Sequence, residues 1–170
     1  MERPMKRILI AGAMSVAFLL SSVLSAQEAA PTCDAVAAPW AGVDARVSGT
    51  TQTNAADFTI VPGQAAMLRL HPDHEVSYVT LPAGEGEESS FGGMVTVRVT
   101  QSGRYMVGMS ESAWVDVAQG GAPVEAEIFG PGPACSGIRK GVSFELVAGE
   151  VVVELSGNLV TEIGVIFLPN

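Results

Sequence analysis

The densest group of side chains able to do metal or acid–base chemistry is His71-Pro72-Asp73-His74-Glu75. Two imidazoles with a carboxylate from Asp73 or Glu75 are the donor types that a surface Zn or Cu site takes. The plainer reading is a polar connection between an apolar run ending at Leu70 and another starting at Val76. These are the two histidines of the 170 residues, so any imidazole base must be one of them. Neither a Gly-x-Ser-x-Gly elbow nor a Ser-x-x-Lys pair occurs, which leaves nucleophilic catalysis without support. Glycoside hydrolysis needs only two carboxyl groups at a set distance and leaves no linear signature.

Other groupings suit binding better than catalysis. Trp114 and Asp116 alternate with Val115 and Val117, which places indole and carboxylate on the face opposite the buried valines. There they form a platform for a sugar ring, or, if loops cover that face, they pack against protein. Arg139 and Lys140 are the one adjacent basic pair outside the N-terminal segment. They suit contact with a carboxylate or phosphate, or simply offset charge on an acidic domain. The segment Glu85-Gly-Glu-Glu-Ser-Ser90 offers oxygens for Ca but lacks the ordered acid spacing of a calcium loop, and reads as a solvated loop.

The elements that must position these groups begin after an export signal. Arg3, Lys6 and Arg7 precede an apolar run over residues 8–24 and then Leu24-Ser25-Ala26, the pattern of a secretory signal peptide cleaved near Ala26. The run is interrupted by Gly12, Ser15, Ser21 and Ser22 and is too short for a comfortable membrane span, so the mature form is expected to have none. Cleavage removes three of nine basic and one of eighteen acidic residues, leaving six against seventeen and a net charge of −11. Such a surface repels phosphate backbones and excludes nucleic acid as a partner. Export also changes the meaning of two cysteines, because an exported chain with one pair usually joins them. A Cys33–Cys135 disulfide is expected, tying the N-terminal segment to a late Gly/Pro-rich loop.

The mature chain divides into an extended arm over residues 27–50 and one domain over residues 51–170. In the domain, apolar residues recur with period two: Val95, Val97, Val99; Tyr105, Val107, Met109; Val115, Val117; Val142, Phe144, Leu146; Val151, Val153, Leu155. That is strand periodicity. Adding residues 58–61, 65–70, 76–81 and 163–168 gives about nine strands, separated by Gly-containing turns such as Ser102-Gly103 and Gly120-Gly121. The expected fold is all-β, an antiparallel two-sheet sandwich of jelly-roll type.

Four stretches, Phe91-Gly-Gly-Met-Val-Thr-Val, Gly103-Arg-Tyr-Met-Val-Gly-Met-Ser, Ala113-Trp-Val-Asp-Val and Cys135-Ser-Gly-Ile-Arg-Lys-Gly-Val-Ser-Phe-Glu-Leu, together resemble a group of small exported alphaproteobacterial proteins. In its Gly-x-Tyr strand the group is similar to pre-peptidase C-terminal-type β-sandwich domains. The resemblance covers about residues 91–168 and implies a β-sandwich and an exported location. Members often carry the name homogentisate dioxygenase, so the resemblance implies that this label attaches here, and the residues speak against the activity. A ring-cleaving iron enzyme needs two histidines and a carboxylate projecting into an open site. His71 and His74 sit three apart in a Pro-containing turn, so no catalytic residue carries over.

The function expected from these residues is a non-enzymatic exported binding or accessory domain, periplasmic or secreted. Its partner would be a small molecule, a glycan or an envelope protein, met through Trp114, Asp116, Arg139 and Lys140. The alternative is a small metal-dependent enzyme or hydrolase centred on His71, Asp73, His74 and Glu75. No cofactor is expected beyond a divalent metal in that alternative.

Overall fold

The computed structural model describes residues 38–80, 82 and 90–170, which form twelve strands in two sheets. The strands are β1 Ala45–Val47, β2 Thr59–Ile60, β3 Ala65–Arg69, β4 His71–Pro72, β5 Phe91–Val99, β6 Gly103–Met109, β7 Trp114–Gln119, β8 Ala122–Val124, β9 Ala126–Gly130, β10 Lys140–Leu146, β11 Gly149–Asn158 and β12 Glu162–Pro169. One sheet runs β1-β3-β12-β6-β10-β9; the other runs β2-β5-β11-β7-β8, with β4 beside β5. The chain is an all-β sandwich, as its period-two pattern requires. The sheets are mixed rather than purely antiparallel, because the short edge strands β1 and β2 run parallel to β3 and β5.

The core is the side-chain layer that the alternation promised. Val95, Val97 and Val99 of β5 meet Val107 and Met109 of β6, Phe144 and Leu146 of β10, Val151, Val153 and Leu155 of β11, and Phe167 of β12 in one cluster. Phe144 and Phe167 are the largest fully buried side chains. Tyr105 stacks on Phe167 with ring centroids 5.2 Å apart. Burying each such side chain contributes about 1.5–3 kcal/mol.

Eight of the nine expected segments are strands, and β1, β4, β8 and β9 add four more. The exception is the segment from Val76, which forms no strand as far as it is described, to Thr80. It lies as a strap across the outer face of the β5–β11–β7 sheet, where Val76, Tyr78 and Val79 cover Met94, Ala118, Val152 and Ala55. A strap buries alternate side chains as a strand does, so period two cannot tell them apart. Its amides have no ladder to join: Ser77 N–H donates to Thr50 O, and the Val79 and Thr80 amides donate to the Glu154 side chain.

The outer face of the other sheet is covered too. Trp40 and Ile138 pack on Ile166 with Ala38, Met67 and Met106 around them. Gly164 of β12 makes room for this, since a Cβ there would stand 2.4 Å from the Trp40 ring. Both sheets therefore carry apolar residues on both faces, which is why β11 reads Val151-Val152-Val153 without a polar break.

Candidate functional site

The five residues 71–75 diverge. His71 lies in β4 with Nε2 2.9 Å from Ser48 O. Asp73 opens a 3-10 turn and points the other way, over β5 and β11. Its Oδ1 accepts from the Tyr78 hydroxyl at 2.5 Å, and its Oδ2 accepts from Ser90 Oγ at 2.5 Å and from Gly157 N–H at 2.9 Å. His74 and Glu75 face solvent 4.0 Å apart, their side chains 73% and 56% exposed. Among the described residues no three His, Cys, Asp or Glu side chains gather as a metal-holding group. Residues 85–89 of the acidic segment lie outside the described residues.

What Asp73 does instead is seat the strap. Gly92 of β5 lets it close down, because a Cβ there would fall 1.9 Å from the Tyr78 hydroxyl and 2.1 Å from Asp73 Oδ1. One turn further along, Glu154 of β11, 2% exposed, accepts from Val79 N–H at 2.5 Å, from Thr80 N–H at 3.2 Å and from the Thr80 hydroxyl. Asp73 and Glu154 thus use their oxygens to terminate backbone and hydroxyl donors, a structural task. The sequence carried a signal for this in Glu154, an acid in the middle of an apolar strand, which a sheet face tolerates only if donors meet it.

Tyr78 is correspondingly hard to ionise. Burial raises its pKa most, followed by donation to Asp73 and by the negative charges of Asp73, Glu154 and Asp116. A folded-state value above the unfolded one favours the native state at and below the ordinary tyrosine pKa of about 10, and that advantage is lost as pH rises beyond it. The absorbance difference between the wild type and Tyr78→Phe should show no Tyr78 phenolate until the protein unfolds in alkali. A Tyr78 phenolate forming in the folded protein near pH 10 would contradict the buried hydroxyl.

Of the remaining predicted residues, Trp114, Asp116 and Lys140 meet at one open side of the sandwich. Glu125 alone separates β8 in one sheet from β9 in the other, so two edge strands lie together where the chain changes sheets. A groove of about 290 Å³ on this side is lined by Trp114, Val115 and Asp116 from β7, Ala126 and Phe129 from β9, and Lys140 and Val142 from β10. Trp114 is 49% exposed, Ile128 55% and Phe129 77%. Lys140 Nζ donates to Ala113 O at 2.6 Å and stands 5.0 Å over the Trp114 ring. Its pKa is lowered by burial, against which the Asp116 charge acts. Arg139, its neighbour, pairs with Glu111 at 3.2 Å instead. Arg139 lies in the bend before β10 and Lys140 opens the strand, and their partners, Glu111 and the Trp114 ring, split the basic pair between two surfaces. Sequence reasoning missed Ile128 and the strand that carries it, because a five-residue edge strand exposed on both faces has no alternation to detect.

The loop after β9 carries Cys135, which is not a free thiol; Cys33 lies outside the described residues. This loop reaches the N-terminal arm: Ile138 packs on Trp40, and a Cβ on Gly137 would stand 2.8 Å from Ala38 Cβ. Among the described residues no helix is long and apolar enough to cross a membrane. No family model, no curated protein and no solved structure matches this chain.

Proposed function

We propose that this chain is an exported, non-enzymatic binding domain that takes an extended segment of an envelope protein along the open side of its sandwich. Residues 1–26 act as the cleaved signal peptide, and a Cys33–Cys135 disulfide clips the arm to the loop beside β9. The observation that carries the reading is the apolar groove at Trp114 and Phe129, lying against an edge strand. An edge strand offers unpaired backbone groups to an incoming strand, and a groove beside it accepts alternate side chains. Exposed aromatic residues are the side chains that dominate such contacts. With Lys140 over the Trp114 ring, a peptide chain suits the groove better than a stacked sugar. The acidic surface favours a partner with basic residues flanking the docked strand.

A short peptide of alternating valine and threonine with lysine at each end is the direct probe. Added to isotope-labelled protein, it should shift the amides of Ala126–Gly130 and the Trp114 indole N–H. Phe129→Lys, on a side chain already in solvent, should weaken binding about tenfold without loss of fold. Undiminished binding to that variant, or shifts elsewhere on the sandwich, would remove the reading.

A further inference from the structure

Where β11 turns into β12, a second pocket of about 250 Å³ is lined by Glu111, Ser112, Arg139, Asn158, Leu159 and Val160. Asn158 is 1% exposed, yet neither its Nδ2 nor its Oδ1 has a hydrogen-bond partner among the described residues. A buried carboxamide without donor or acceptor contacts carries a standing free-energy cost that an apolar side chain of the same shape avoids. The group that relieves it must supply an acceptor to Nδ2 and a donor to Oδ1 together. A secondary amide does both.

The rest of the lining narrows the ligand further. Arg139 and Glu111 pair at 3.2 Å and cancel, so the pocket holds no net charge to recruit an ion. A paired guanidinium and carboxylate still have donors and lone pairs beyond the bond between them, and these suit neighbouring hydroxyls. Leu159, 77% exposed, and Val160, 39% exposed, set methyl groups at the mouth.

We infer that this pocket binds an uncharged acetamido group flanked by hydroxyls, the chemistry of an N-acetylated amino sugar. The amide pairs with the Asn158 carboxamide, the acetyl methyl rests on Leu159 and Val160, and ring hydroxyls meet Arg139 and Glu111. The Asn158 polar atoms are not solvent-exposed in the free protein, so the carboxamide reaches the ligand by rotating about its own side-chain bonds. The lining shares no residue with the groove at Trp114, so this site and the peptide reading fail or stand independently.

N-acetylglucosamine, glucose and glucosamine, each titrated into isotope-labelled full-length protein, provide the test. N-acetylglucosamine should move the Asn158 side-chain N–H pair and the amides of residues 158–160, with a Kd on the order of a millimolar. Glucose and glucosamine, lacking the acetamide, should bind at least about tenfold more weakly, a difference of about 1.4 kcal/mol. Asn158→Leu should abolish the response. Arg139→Ala, a change at an exposed position that leaves folding intact, should weaken all three sugars several-fold while keeping their order. Equal response to glucose would overturn the inference. So would an Asn158 side chain that exchanges with an internal water and ignores the acetylated sugar.

Discussion

Glu154→Ala should lower the stability of the domain by about 3 kcal/mol, the scale for removing a charged acceptor from several buried donors. The Val79 N–H, the Thr80 N–H and the Thr80 hydroxyl all end on this one side chain, and the position is only 2% exposed. For a domain of this size each kcal/mol is worth about 3 °C in Tm, so a fall of about 10 °C is expected. Glu154→Gln should cost less, because its carbonyl still accepts one donor while its NH2 turns a donor toward another. Hydrogen exchange locates the effect. The Val79 and Thr80 amides should lose protection in Glu154→Ala, while those of β10 and β12 change only with global stability. Unchanged protection at Val79 and Thr80 would mean that the strap does not hang on this carboxylate. Because Val76, Tyr78 and Val79 cover Met94 and Val152, losing the strap also exposes an apolar patch, and the variant should associate more readily.

This dependence explains which parts of the fold were legible in the sequence. Period two in Val95–Val97–Val99 or Val151–Val153–Leu155 reports burial on one face, and a strand in a sandwich is the commonest way to achieve it. The strap achieves the same burial by lying across a sheet instead of beside it, and only the fate of its amides distinguishes the two. Those amides end on Glu154, 74 and 75 residues away, a pairing no local window contains. The same distance hid the groove. Trp114 and Lys140 are 26 positions apart in sequence and lie in different sheets, brought together because Glu125 carries the chain across the open side. The aromatic was visible as a candidate platform, but the cation that occupies its ring was not. For residues 71–75 the sequence offered a polar connection or, as the alternative, a metal cluster, and the structure sends His71 to Ser48 and Asp73 to Tyr78. Spacing in a turn constrains side-chain direction far less than spacing on a helix or strand.

Removing both cysteines should have the larger effect on the arm. The proposed Cys33–Cys135 bond closes a loop on the order of 100 residues, for which restriction of the unfolded chain amounts to about 4.7 kcal/mol before native strain is subtracted. A Cys33→Ala/Cys135→Ala double variant should therefore lose about 3–4 kcal/mol, or about 10 °C in Tm. The loss should also be uneven. Phe144, Phe167 and the valines between the sheets are held by ladders that do not involve either cysteine. Trp40, in contrast, reaches the β12 face over Gly164 and meets Ile138 on the loop side, so its cluster depends on the arm and loop staying together. In the double variant Trp40 should become accessible to quenchers and the arm to proteases while the core strands keep their exchange protection. In the wild type, thiol reagents should find no reactive cysteine unless a reductant is added. Two freely reacting thiols in the folded, unreduced protein would show that the arm is held by Trp40 packing without a covalent clip.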